Sequence, residues 1–209
     1  MMKLNNITKS VTAALLVAVS SVVIAETVTV DATVTVNNAI DFQHTGTLDF
    51  GIIRAKPSTI ADECAVLGLA ANTATATLSS VAISTLCPGG AGVVAVIQSV
   101  GGVPARPEFT VSGVAAFTDL KLELPTTATT LSAAGLPGGA ATFSVGNFTA
   151  YRTSGITPGP ITTTLATDNS GNAAFRVGAE IATHVAALAG IGYQDTAPYA
   201  GTFEVIVTY

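Results

Sequence analysis

The chain has 209 residues, of which only 10% are charged, and a formal net charge of −5. An acidic chain without a basic run is unsuited to nucleic acid or to anionic membrane surfaces, and two histidines with two cysteines do not approach zinc-site spacing. Alanine, threonine, valine and glycine dominate. The resulting surface of hydroxyls and methyls suits either a subunit that buries itself against copies or a secreted β-domain with a threonine-rich face.

Residues 1–25 read as a secretory signal peptide. Lys3 and Lys9 precede an apolar run from Val11 to Ala25 that closes on the small-residue pattern Val23-Ile24-Ala25. That run is short for a membrane span of roughly 20 residues, and later apolar stretches are shorter still. The mature chain, from Glu26, is therefore expected to be exported with no membrane span. Removing the leader takes away two of the eight basic residues and none of the 13 acidic ones, which leaves a net charge of −7. The remaining length fits one domain, with no internal repeat or linker.

Thr27 to Val36 reads TVTVDATVTV. Val28, Val30, Ala32, Val34 and Val36 form one apolar ridge, and threonines with Asp31 form the other face. Strict alternation of branched residues is the signature of a half-buried strand. Such a ridge can fill a groove in its own domain or in a neighbour. Asn37-Asn38 signals a turn. Thr47 to Ile53 follows, with Leu48, Phe50 and Ile52 on one face, and Arg54 to Glu63 reads as a loop around Pro57. Ala74 to Leu86 is extended and ends at Cys87-Pro88-Gly89-Gly90. Gly92 to Val100 is a continuous apolar run, the pattern of a buried strand.

Glu108 to Val114 alternates weakly, and Leu120, Leu122 and Leu124 alternate cleanly with Lys121 and Glu123. Ala141 to Tyr151 is extended. Ile161 to Thr167 and Ala173 to Ile181 flank Asp168-Asn169-Ser170-Gly171, and the three together read as a hairpin. Phe175, Val177, Ala179 and Ile181 form its inner face. Ala182 to Leu188 has the pattern of a short helical turn, stopped by Gly190, Gly192 and Pro198. Phe203, Val205, Val207 and Tyr209 alternate to the final residue. Nine or ten short strands separated by turn signals imply an all-β fold, a single antiparallel β-sandwich.

Cys64 and Cys87, an even count in an exported chain, are expected to form a disulfide. Closing a loop of about 24 residues contributes roughly 3 kcal/mol in the chain-entropy model.

Leu48-Asp49-Phe50-Gly51 resembles the LDFG motif of a family of secreted bacterial β-domains of unassigned function. The ending, Tyr199-Ala200-Gly201-Thr202-Phe203 through Val205, Val207 and Tyr209, matches that family's close. It is also similar to the close of spore-coat-protein-U-like subunits of archaic chaperone–usher pili. The resemblance implies an immunoglobulin-like sandwich (37–209) that lacks its last strand, preceded by a donor strand (26–36). A periplasmic chaperone fills the gap first, and the N-terminal strand of the next subunit replaces it at an outer-membrane usher. Carried over, the donor ridge is Val28, Val30, Ala32, Val34 and Val36. The acceptor groove is edged by Phe203, Val205, Val207 and Tyr209, with Cys64–Cys87 as the internal disulfide. The implied product is a head-to-tail filament at the cell surface, reached through the periplasm.

No catalytic pattern emerges beside this. His44 and His184 stand next to no nucleophile motif, and no G-x-S-x-G elbow, H-E-x-x-H pair or P-loop occurs. Asp168 to Asn172 superficially resembles a calcium loop but lacks its remaining ligands and the bidentate glutamate. Gly89 to Gly92 precedes no helix, so it reads as a loop and not a phosphate cradle. Asn147-Phe148-Thr149 fits a glycosylation acceptor. Tyr151, Tyr193 and Tyr199 could stack on a sugar but, without tryptophan, read as core or interface residues. No cofactor, metal or enzymatic activity is expected. The alternative to a filament subunit is a self-contained secreted binding or adhesive domain, with a hydrolase a distant third.

Overall fold

The computed structural model describes residues 39–90, 94–185, 192–195 and 198–209. The leader and the ridge from Val28 to Val36 lie outside the described residues, as does much of the expected helical turn after Ala182. Among the described residues there are thirteen strands and no helix. They are β1 (Asp41–Thr45), β2 (Ile52–Lys56), β3 (Val66–Leu69), β4 (Leu78–Val81), β5 (Val96–Gly101), β6 (Glu108–Ser112) and β7 (Asp119–Glu123), then β8 (Thr129–Leu131), β9 (Phe143–Ser154), β10 (Gly159–Ile161), β11 (Thr164–Ala166), β12 (Ala173–Ala182) and β13 (Ile206–Thr208). All pairings are antiparallel.

The chain is all-β, as its alternation predicts, and its frame is the pair β9–β12. Strand β12 pairs along its length with β9 on one side. On the other side it pairs with β6 at its start and β3 at its end. Strands β1 and β4 extend those two branches, while β8 and β10 flank β9. Two small sheets, β11-β7-β13 and β2-β5, complete the β-structure.

Two apolar clusters line the inner side of the large sheet. Phe109, Val111, Phe175 and Val177 pack with Leu120, Leu122 and Leu165 of the three-stranded sheet. Leu67, Leu69, Phe143, Val145, Ala179 and Ile181 pack with Phe50, and Ile53, Ala55 and Ile97 of the two-stranded sheet join them. Phe175, fully buried, stacks on Phe109 with ring centres 5.0 Å apart. Full burial of each large apolar side chain contributes about 1.5–3 kcal/mol. A third cluster surrounds the Cys64–Cys87 disulfide, whose Cα atoms are 5.6 Å apart, with Val66 and Ala182.

Five local expectations are corrected. Arg54 to Lys56 belongs to β2 and not to a loop. The ridge of Leu48 and Phe50 passes to Ile53 and Ala55, which leaves Ile52 62% exposed. Gly51, at φ 70°, causes this change of phase, since one left-handed residue turns the next side chain to the other face.

The apolar run ending at Val100 yields β5, but this strand is not buried. It pairs with β2 alone among the described strands, and Val96 and Val100 are exposed. A continuous apolar run marks a strand without saying how many of its faces are covered. The turn at Asp168 to Gly171 forms, yet its arms do not make a hairpin. Strand β11 pairs with β7 while β12 enters the large sheet, so the turn links two sheets. Asp168 Oδ1 accepts from the N–H groups of Ser170 and Asn172 and closes it. Regular pairing at the chain's end is confined to Ile206–Thr208, shorter than the expected strand. Strands β1, β3 and β8 fall in stretches that lack clean alternation.

Candidate functional site

The two motifs of the resemblance are separated by most of the sequence and meet in space. In Leu48-Asp49-Phe50-Gly51 each residue has a physical task. Asp49 exchanges both backbone hydrogen bonds with Ala105, each 2.9 Å, and its Oδ1 accepts from Gly51 N–H at 2.8 Å. That side-chain turn presets the left-handed glycine. A Cβ on Gly102 would lie 2.9 Å from Ile52 N, so the β2–β5 junction is built on two glycines in contact. Phe50 is buried and Leu48 is packed beside it in the second cluster.

The ending is built the same way. Ala200 exchanges two backbone hydrogen bonds with Ser132, 3.0 and 3.1 Å long. At Gly201 a Cβ would meet Thr130 O at 2.7 Å and Leu131 Cδ2 at 2.8 Å, so only glycine fits. Tyr199 packs edge-on against Phe143, and Phe203 sits 4.8 Å from Phe148 between ring centres. Leu48, Phe50, Leu131, Val145, Gly201 and Phe203, with Thr129, line a narrow, mostly apolar crevice of about 40 Å³.

Beyond the crevice, Phe203, Val205 and Val207 are half-buried and pack against the first core cluster, which places three of the four expected groove residues on one inward face. Tyr209 is 58% exposed. Strand β13 pairs with β7, register Val207 to Leu122, and has no second partner among the described residues. Leu131 and Val145 are crevice residues that sequence reasoning missed. Val145 lies in a stretch expected to be extended, but nothing local says which distant segment it faces.

The remaining candidates are accounted for structurally. His44 lies on the surface, its ring 5.8 Å from that of Phe109. His184 Nδ1 lies 3.0 Å from Thr142 Oγ1, and its backbone N–H donates to the Tyr193 hydroxyl at 2.7 Å. Tyr193 stacks on Phe143 at 4.2 Å, so it and Tyr199 are packing residues that pin the approach to Ala200. Burial pushes the Tyr193 hydroxyl well above the ordinary phenol range. The bond from His184 opposes that shift, and Tyr199 adds to it. No group of three or more metal-ligating side chains occurs among the described residues. No helix among them is long and apolar enough to cross a membrane.

Against known proteins, no family model, curated protein or solved structure matches this chain.

Proposed function

We propose that this chain is a structural subunit of an extracellular filament, polymerised when residues 26–36 of one copy enter the groove of the next. The observation that carries the reading is the juxtaposition of the two motifs. Leu48 and Phe50 share an apolar crevice with Gly201 and Phe203, beside a last strand paired on one side only among the described residues. The inserted ridge is Val28, Val30, Ala32, Val34 and Val36. Its burial contributes roughly 5–8 kcal/mol by area, before ordering costs, and pairing with β13 adds backbone hydrogen bonds by β-augmentation.

An unfilled edge favours aggregation, which is why the reading includes a periplasmic chaperone as transient partner and an outer-membrane usher as the exit. Head-to-tail exchange does not close on itself and so makes filaments. The role is structural and not enzymatic, and it needs no cofactor.

The test compares protein beginning at Glu26 with protein beginning at Asn37, by electron microscopy and detergent-resistant gel electrophoresis. Polymers from the longer form alone, together with stabilisation of the shorter form by a 27–36 peptide, support strand donation. Val30→Asp or Val34→Asp is then expected to abolish polymer. Equal monomers, or a shorter form that no peptide rescues, would make the first strand internal and favour the self-contained binding domain.

A further inference from the structure

The outer face of the large sheet carries a cleft of about 420 Å³, within the range of pockets that hold small organic ligands, about 300–1,000 Å³. Its construction starts from a bulge. Between Gly178 and Glu180 on β12 the register of β9 slips by one residue, from Thr149 to Gly146. Asn147 absorbs the extra residue at φ 49°, a backbone conformation that asparagine tolerates better than other side chains. Bulges of this kind re-aim side chains. Here the bulge brings the Asn147 carboxamide against the Glu180 carboxylate.

Glu180 Oε2 accepts from Ser84 Oγ at 2.5 Å and from Asn147 Nδ2 at 2.6 Å. Asn147 Oδ1 in turn accepts from Thr85 Oγ1 at 2.7 Å. The disulfide at Cys87 anchors the Ser84–Thr85 turn, and Cys87 N–H donates to Ser84 O. Short charge-assisted bonds hold a carboxylate in one orientation. Among the described residues no hydrogen bond reaches its other oxygen, Oε1.

Opposite Glu180 across the ladder stands Gly68, where a Cβ would press on Val81 at 3.0 Å. The missing side chain keeps the cleft open beside the carboxylate. Asn72 and Thr149 add polar groups to the lining, and Tyr151 with its cross-strand partner Pro160 supplies apolar surface. Tyr151 is the one tyrosine of the three considered from the sequence that is not absorbed by packing on Phe143.

A fixed acceptor beside ring surfaces suits a ligand with hydroxyl donors on one edge and C–H bonds on a face. Polarised C–H bonds match the negative face of an aromatic ring. A cation is a poorer match, because the cleft is lined by a single acid, one of whose oxygens already accepts from two donors. We propose that this cleft binds a neutral pyranose, whose hydroxyls donate to Glu180 and whose C–H face lies on Tyr151 and Pro160. The site shares no residue with the crevice of Leu48 and Phe203, so it stands whether or not the chain polymerises.

The experiment is a two-dimensional amide NMR titration of protein made from the full chain. The probes are the methyl glycosides of glucose, galactose and mannose, then N-acetylglucosamine, and lysine amide as a cation. At least one sugar is expected to shift the amides of Gly68, Ser79 and Thr149 saturably in the millimolar range. Glu180→Gln keeps the side-chain shape and offers a donor in place of an acceptor, and it is expected to weaken that sugar about tenfold or more. Thr149→Arg, on an exposed position, is expected to block the cleft with unchanged thermal unfolding. The proposal is overturned if no sugar shifts these amides, if only lysine amide does, or if Thr149→Arg leaves sugar binding intact.

Discussion

Replacing Asn147 by glycine and by alanine separates two effects that act at one residue. Both changes remove the same three hydrogen bonds, to Ser84, Thr85 and Glu180. Two are neutral and exposed, contributing about 0.5 kcal/mol each, and the one to the carboxylate contributes about 1.5 kcal/mol. Glycine recovers some of that loss by relaxing the left-handed backbone but adds unfolded-state entropy, so Asn147→Gly should cost about 2 kcal/mol. Alanine meets the full left-handed penalty of roughly 1–2 kcal/mol, partly offset by its stiffer unfolded chain, and should cost about 3 kcal/mol. For a domain of this size 1 kcal/mol corresponds to about 2–4 °C in Tm. Scanning calorimetry should therefore rank wild type above glycine and glycine above alanine. Alanine as stable as glycine would refute the strained bulge, and wild-type stability in both would refute the carboxylate clamp.

Three further outcomes follow from the packing. Burial raises the Tyr193 hydroxyl above its value in the unfolded chain. The folded state then keeps a proton that the unfolded chain releases, so the stability this group contributes is whole below pH ~10 and falls as pH rises beyond it. Tyr193→Phe should flatten that alkaline slope in denaturant melts taken across pH. Thr167, wholly buried, accepts Thr118 N–H at 2.9 Å. Thr167→Val keeps the shape but orphans that donor at a cost of about 1–3 kcal/mol, whereas Thr167→Ser should lose only about 0.8 kcal/mol for its methyl, as equilibrium unfolding will show. Reducing Cys64–Cys87 should lower stability by about 3 kcal/mol in the same assay.

The strands most legible in the sequence are those with one wet face and one dry face. Leu120 and Leu122, and Phe175 through Ile181, alternate because β7 and β12 each cover one side of a core, and period two reports that directly. Strand β3 is not legible: Val66, Leu67, Gly68 and Leu69 are all buried, so no alternation survives. The charges of Arg54 and Lys56 suggest a loop because the phase change at Gly51 hides Ile53 and Ala55 behind them. The crevice is legible only as two separate motifs. The cleft is not legible at all, since Glu180 owes its surroundings to a one-residue slip on another strand. No local pattern announces which strand will supply that slip.

The crevice also bears on the order in which the molecule can be completed. Its walls, Leu48 with Phe50 and Gly201 with Phe203, stand about 150 residues apart along the chain, the kind of separation that slows folding because loop closure must precede any return contact. Synthesis delivers the first wall about 150 residues before the second. Throughout that interval Leu48 and Phe50 lack the Gly201–Phe203 side of the crevice, although residues of β9 and β12 can already cover Phe50. Removing the final ten residues, Ala200 to Tyr209, would delete Gly201, Phe203 and β13 together and leave the early wall without its partner. Completion of the crevice thus depends on the sequence distance between two short motifs as well as on the packing of the core.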